Sequence, residues 1–235
     1  MANERFRAYS FVDRITSVEP ASRIRGSYEI PAGLPSFVLS LAAEATGQLA
    51  AWAAMAKVDF AFRPVAGIAG EVELVAGLTP GQTLELEADL EQVDTEAISY
   101  SGTASVDGEP VLRLKDCLGP MVPMEDFDDP AAVRERYELL RGAGAEPGAF
   151  GGVPDIKLVP TGEEPGEWMS AELHVPESGD FFGDHFPRRP VFPGTLMMES
   201  NMKFAADFMT KAAPLDDGRV WKADCLNDMK MRSFI

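Results

Sequence analysis

Between Pro35 and Met55 the chain runs PSFVLSLAAEATGQLAAWAAM, apolar almost without interruption. The stretch is too long for one strand and lacks strand-like alternation, so it predicts a buried helix. A helix that is apolar nearly all round must be covered on every side. Its polar exceptions, Ser40, Glu44 and Gln48, are spaced by four and fall on one stripe. A carboxylate among apolar side chains is costly unless it is paired, protonated or facing a polar cavity, which marks Glu44.

The flanking segments supply the cover. FRAYSFVDRITSV (residues 6–18) and RIRGSYEI (residues 23–30) read as two strands before the helix, the second alternating Ile24, Gly26, Tyr28 and Ile30 with Arg23, Arg25, Ser27 and Glu29. After the helix, Leu84, Leu86, Ala88 and Leu90 alternate with Glu85, Glu87, Asp89 and Glu91, and a similar pattern follows from Ile98 to Val106. These are half-buried antiparallel strands, divided by turn signals at Thr79-Pro80-Gly81, Asp94-Thr95-Glu96 and Asp107-Gly108. Alternation on an exposed face accounts for the carboxylate row, so no metal site is expected there.

Asp129 suits a helix N-cap, with Pro130 at the first helical position and a helix running to Gly142. GAGAEPGAFGGVP then reads as a flexible joint. Beyond it DIKLVP and EWMSAELHV are strands, with His174 on the polar face of the second, and RVWKADCLNDMKMRSFI carries a further strand. The division is residues 1–127, a first unit without histidine; 128–152, linker helix and joint; and 153–235, a second unit.

The second unit holds DHFPRRPVFPGTLMMESNMK, Asp184 to Lys203. Pro187, Pro190 and Pro193 each fix φ and disfavour helix in the residue before, so His185 sits on a stiff extended loop. Gly194 then opens a helical pattern, which puts its amide among the unpaired donors of a helix N-terminus, a setting suited to a developing oxyanion.

HFPRRPVFPG followed by Glu199, with SGDFFGD before it, resembles the signature of 3-hydroxyacyl-[acyl carrier protein] dehydratases. FVDRI, TPGQTL and VDGEPV resemble other parts of the same family. The resemblance implies an α+β double hotdog, antiparallel sheets each wrapped around a long central helix, most similar to dehydratase regions of polyunsaturated fatty-acid synthases. Strands equivalent to residues 78–118 do not follow the second helix, so the second hotdog reads as truncated at the C-terminus, and an edge and apolar helix surface are expected to be exposed or covered by another chain.

In that family the site lies between two hotdogs, the histidine coming from one and the acid from the helix of the other. The resemblance therefore implies His185 as base with Glu44 as acid, in an ExxxQ spacing with Gln48. Glu199 is the alternative acid, disfavoured because its mirror-image site has no histidine and because Lys203 stands where the family has glutamine. Gly194 would stabilise the oxyanion, with Gln48, Phe186 and Pro193 as further substrate-binding candidates. The implied reaction is dehydration of 3-hydroxyacyl thioesters to trans-2-enoyl thioesters in fatty-acid, polyunsaturated fatty-acid or polyketide synthesis. No cofactor is implied beyond the phosphopantetheine that carries the substrate. A thioesterase or enoyl isomerase on the same fold, or a non-catalytic acyl-binding or assembly module, are the alternatives.

With 21 basic against 38 acidic residues, net charge −17, the chain is unsuited to nucleic acid. An acidic acyl carrier protein as partner would need a local basic patch, for which Arg188 and Arg189 are candidates. A homo-oligomer or a larger synthase assembly is compatible with this reading. No apolar run reaches membrane-spanning length, MANERFRAYSF lacks the form of a signal peptide, and Cys117 and Cys225 are widely spaced, which suits a reducing cytoplasm.

Overall fold

The computed structural model describes residues 5–19, 22–147, 150–216 and 218–235. The first four residues of the expected first unit and Gly148 and Ala149 of the expected joint lie outside the described residues. In chain order the elements are β1 (Arg14–Glu19), β2 (Arg23–Glu29), α1 (Leu39–Lys57), β3 (Phe62–Pro64), β4 (Ile68–Leu74), β5 (Thr83–Val93), β6 (Ala97–Val106), β7 (Glu109–Pro123), α2 (Met124–Phe127), α3 (Pro130–Arg141), β8 (Lys157–Glu164), β9 (Trp168–His174), α4 (Phe181–Asp184), α5 (Gly194–Ala212) and β10 (Cys225–Lys230).

α1 is the expected buried helix. Leu41, Ala42, Ala45, Leu49, Ala50 and Ala54 are fully buried around its circumference, and β2, β3, β5, β6 and β7 all pack on it. The strands form an antiparallel sheet in the order β1-β2-β5-β6-β7-β4-β10, with β3 beside β7. On β5 the leucines at 84, 86 and 90 turn inward, while Asp89 and Glu87 pair with Arg23 and Arg25 across the strand. The carboxylate row is thus a cross-strand charge ladder. A Cβ on Gly102 would lie 2.5 Å from Thr46 Cγ2 and 2.9 Å from the Glu87 carbonyl oxygen, so glycine is what lets β6 approach α1 here. At the β6–β7 hairpin Asp107 and Gly108 both have positive φ, 52° and 78°, as a primed turn requires.

The long strand expected from residue 6 is shorter: β1 begins at Arg14. Residues 5–13 instead form an irregular strap: Asp13 N still bonds the Ser27 carbonyl of β2, but upstream of it side chains take backbone groups of residues 6, 7, 9 and 11. Asp184 accepts the amides of Phe6, Arg7 and Tyr9. Gln48 accepts from Phe11 N at 2.9 Å and donates to the Tyr9 carbonyl at 2.9 Å.

α3 starts as its sequence dictates, with the Asp129 side chain accepting from Ala131 N at 3.0 Å and Pro130 in the first turn. Val133, Tyr137 and Leu140 bury its apolar face, and Tyr137 stacks on Trp52. The glycine-rich joint is docked on the first half: the Arg14 guanidinium donates to the Gly142 and Ala143 carbonyls, Ala145 N donates to the Asp13 carbonyl, and buried Phe150 packs edge-on against Phe11 and Phe37.

In the second half β8 and β9 form a separate hairpin, α5 packs against α1 and β9, and β10 joins the large sheet by pairing with β4. The architecture is α+β and of hotdog type, complete around α1. Around α5 the expected wrapped sheet is represented by the β8–β9 hairpin and by β10. Among the described residues β10 is the only strand after α5, and none corresponding to β5, β6 and β7 follows that helix. No helix among the described residues is long and apolar enough to cross a membrane.

Candidate active site between the two helices

The proline-rich loop places His185 as a consequence of local geometry. The His185 amide caps α4 by donating to the Phe181 carbonyl at 2.7 Å. Phe186 then takes a left-handed φ of 62°, costly for an aromatic residue. The turn is held by packing: the Phe186 ring lies under the Arg63 guanidinium at 4.2 Å and edge-on to Phe127 at 5.4 Å. The backbone amides of Arg188 and Arg189 close the loop onto the Phe127 and Phe186 carbonyls at 3.0 and 2.9 Å.

His185 Nδ1 lies 2.7 Å from the Val191 carbonyl oxygen. A carbonyl can only accept, so Nδ1 carries the proton and Nε2 keeps its lone pair. Burial pushes the imidazole pKa below the ordinary histidine value; the Glu44 carboxylate and the Val191 carbonyl pull it up, and Arg63 pushes it down. The ring is therefore neutral and basic at Nε2 near neutral pH.

Gly194 is the first residue of α5, which has Pro193 as its N-cap and no side-chain cap. Its amide belongs to the first-turn donors, and Leu196 N and Met197 N already take the Pro193 carbonyl at 3.1 and 3.2 Å. A Cβ here would meet Met231 Cε at 3.2 Å, the far end of a flexible side chain that need shift only a few tenths of an ångström.

Glu44 reaches the same place from α1. Its Oε1 accepts from Gln48 Nε2 at 3.0 Å and its Oε2 accepts from the Thr195 hydroxyl at 2.7 Å. The Thr195 proton is thereby used, so in the 2.8 Å contact between Thr195 Oγ1 and Tyr9 Oη the tyrosine is the donor. Burial and the nearby Glu44 charge push the Tyr9 phenol well above its usual pKa, which keeps it protonated for this role. The Tyr9 ring also packs edge-on to His185, 5.5 Å between centroids. Arg63, half-buried and paired with Asp128 at 3.1 Å, is pushed down to about 10 by desolvation and the neighbouring Arg5, against the pull of Glu44.

His185, Glu44, Gln48, Phe186 and Gly194 line one cavity of about 730 Å³. Its walls are largely apolar, with Trp52, Met55, Ile98 and Leu114 among them. Of the other candidates, Pro193 is buried behind the loop and does not line the cavity. Glu199 does not line it either; only 12% exposed, it pairs with Lys203 one turn on, at 3.5 Å. Gln48 spends both amide protons, on Glu44 and on the Tyr9 carbonyl, and so acts by holding other groups. Arg188 is exposed, with Nη1 on the Glu125 carbonyl at 2.8 Å. Arg189 is exposed too and lies over Phe127 and Phe234. Among the described residues no three or more His, Cys, Asp or Glu side chains converge as a metal site would require.

Sequence reasoning missed Tyr9, Thr195 and Arg63. Tyr9 reads as an ordinary strand residue and Thr195 as a helix first-turn residue; only the packing of α5 on α1 brings them to Glu44.

Residues 162–228, which include His185 and Gly194, match the ApeI-like family, described as ApeI dehydratase. The chain is 39% identical over 59 residues to the 3-hydroxyacyl-[acyl-carrier-protein] dehydratase FabZ of Janthinobacterium sp. (strain Marseille), a match covering 24% of this chain and 38% of that relative. Solved structures similar to it include the fluoroacetyl-CoA thioesterase FlK, at 15% identity and a TM-score of 0.40 over 51% of this chain and 98% of that one. Another is the dehydratase heterocomplex ApeI:P from Xenorhabdus doucetiae, at 13% identity and a TM-score of 0.38 over 47% of this chain and 82% of that one.

Proposed function

We propose that this chain is a hydro-lyase that removes water from 3-hydroxyacyl thioesters, giving trans-2-enoyl thioesters, with residues 1–127 and 153–235 acting as two hotdog units joined by 128–152. The observation that carries the reading is the opposition, in one apolar cavity, of a histidine with its Nδ1 tied to a carbonyl and a carboxylate from the other half of the chain.

In this reading His185 Nε2 removes the proton α to the thioester carbonyl, and charge moves to the thioester oxygen, which the Gly194 amide stabilises. Such a donor is worth about 100 to 1000-fold in rate. As the C–O bond breaks, Glu44 in its acid form gives its proton to the departing hydroxyl, which leaves as water. The enzyme is left with a protonated His185 and an ionised Glu44, and transfer of that proton back to Glu44 closes the cycle. Acid–base help of this kind contributes roughly 100 to 10,000-fold. The apolar cavity takes the acyl chain. We read the substrate as phosphopantetheine-linked on an acyl carrier protein, with exposed Arg188 and Arg189 as contacts for that acidic partner, in cytoplasmic fatty-acid, polyunsaturated fatty-acid or polyketide synthesis.

The test is hydration of a crotonyl thioester by wild type, His185→Ala, Glu44→Gln and Glu199→Gln, each checked for folding. Loss with the first two and retention with the third is expected. An inactive wild type that still binds an acylated carrier would replace the enzyme by a binding module.

A further inference from the structure

The Glu44 carboxylate is held by two neutral donors, and one of them comes from the other half of the chain. Thr195, next to Gly194 in the first turn of α5, donates to Oε2 at 2.7 Å. Tyr9 donates in turn to Thr195 at 2.8 Å. Tyr9 is only 3% exposed and is fixed at both backbone ends by neighbours of the acid–base pair. Its amide goes to Asp184, which precedes His185, and its carbonyl accepts from Gln48, one turn from Glu44. The hydroxyl chain Tyr9 to Thr195 to Glu44 thus ties the strap, α5 and α1 at one carboxylate.

From this arrangement, and resting on the hydro-lyase reading above, we propose that Thr195 is a positioning residue for proton delivery by Glu44, with Tyr9 supporting it from behind. A hydroxyl donor interacts more strongly with a carboxylate than with a neutral acid. Its contribution therefore grows as Glu44 gives its proton to the leaving hydroxyl, which is where a donor lowers a barrier rather than merely tightening binding. Tyr9, by donating to Thr195 Oγ1, leaves the Thr195 proton one direction to point and polarises it toward Oε2. The proton that moves in the reaction is that of Glu44. Thr195 and Tyr9 keep theirs, so the cycle balances without them.

The experiment measures kcat and KM for hydration of crotonyl-N-acetylcysteamine by wild type, Thr195→Val, Thr195→Ser, Tyr9→Phe, Glu44→Gln and the Thr195→Val/Glu44→Gln double variant, with thermal melts alongside. Thr195→Val is expected to lower kcat about tenfold to a hundredfold, the scale of a lost hydrogen bond to a charged group, with KM within about twofold. Thr195→Ser should restore most of the rate, Tyr9→Phe should lose a few-fold, and the double variant should be no slower than Glu44→Gln. A wild-type kcat in Thr195→Val, a serine variant as slow as the valine one, or a loss that multiplies with that of Glu44→Gln overturns the proposal. If Thr195→Val does not fold, the serine and Tyr9→Phe variants decide it, and wild-type kcat in Tyr9→Phe removes the support from behind. Should His185→Ala match an active wild type, or the wild type be inactive, the hydro-lyase reading fails and this proposal with it. If His185 and Glu44 are needed and Thr195 is not, only this proposal fails.

Discussion

His185 Nδ1 and the carbonyl oxygen of Val191, six residues apart in one loop, lie 2.7 Å from each other. The contact fixes which imidazole nitrogen faces the cavity as a base and lets a loop of three prolines hold a ring without help from a distant carboxylate.

The first prediction concerns pH. A base must be neutral to act, so the acid limb of the rate profile follows the His185 pKa, which burial and Arg63 hold down. Replacing Arg63 with Met removes a repelling charge, raises that pKa, and should move the acid limb to higher pH. A limb that stays put in Arg63→Met would contradict this electrostatic account.

Asp184→Asn should loosen the strap over the site. One carboxylate accepts three backbone amides, those of Phe6, Arg7 and Tyr9, and a neutral amide accepts more weakly and brings protons of its own. We expect a loss of about 2 kcal/mol, the scale of hydrogen bonds to a charged group. Amide exchange at residues 6, 7 and 9 should quicken while exchange in α1 changes little. Unchanged protection at those three amides would count against the strap being held this way.

Gly102→Ala should destabilise the protein by about 1 to 3 kcal/mol, because a methyl group there runs into Thr46 and the Glu87 carbonyl. Combining it with Thr46→Ser, which removes the methyl group it meets, should return part of the loss in a denaturant titration. No recovery would place the strain on the backbone contact alone.

Asp13→Asn should stabilise the protein at neutral pH. Burial pushes this carboxyl up to about 6, against the pull of the Glu29 amide and Arg136. A raised folded pKa means that the contribution is full below the unfolded value of 3.8 and is lost as pH rises through about 6. The variant should match wild type near pH 4 and exceed it above pH 7, by up to about 1 kcal/mol once solvent screening of a half-buried group is allowed for. Melting curves at the two pH values are the check, and an equal offset at both would refute the assignment.

Much of the molecule could be read from local pattern. The apolar run over α1, the alternation on β5 and β6, the Asp107-Gly108 turn and the Asp129-Pro130 helix start each depend on residues within a few positions of one another. Hydrophobic period and capping chemistry act at that range, so sequence determined these elements. The His185 loop belongs only partly with them: its prolines suggest an extended segment, but His185 caps α4 and Phe186 turns left-handed, a turn that packing on Arg63 and Phe127 holds. The spacing of Glu44 and Gln48 likewise dictated that they share a helix face.

Tertiary structure decided what those faces meet. Residues 6–13 have the composition of a strand but become a strap, because Asp184, far along the chain, takes their amides. β10 adds to the sheet at β4, which no pattern within it announces. The Thr195 bond to Glu44 spans 151 positions, and it exists because α5 docks on α1. A hydroxyl at a helix start is one of the commonest features a sequence offers; what it donates to is fixed only when another part of the chain arrives beside it.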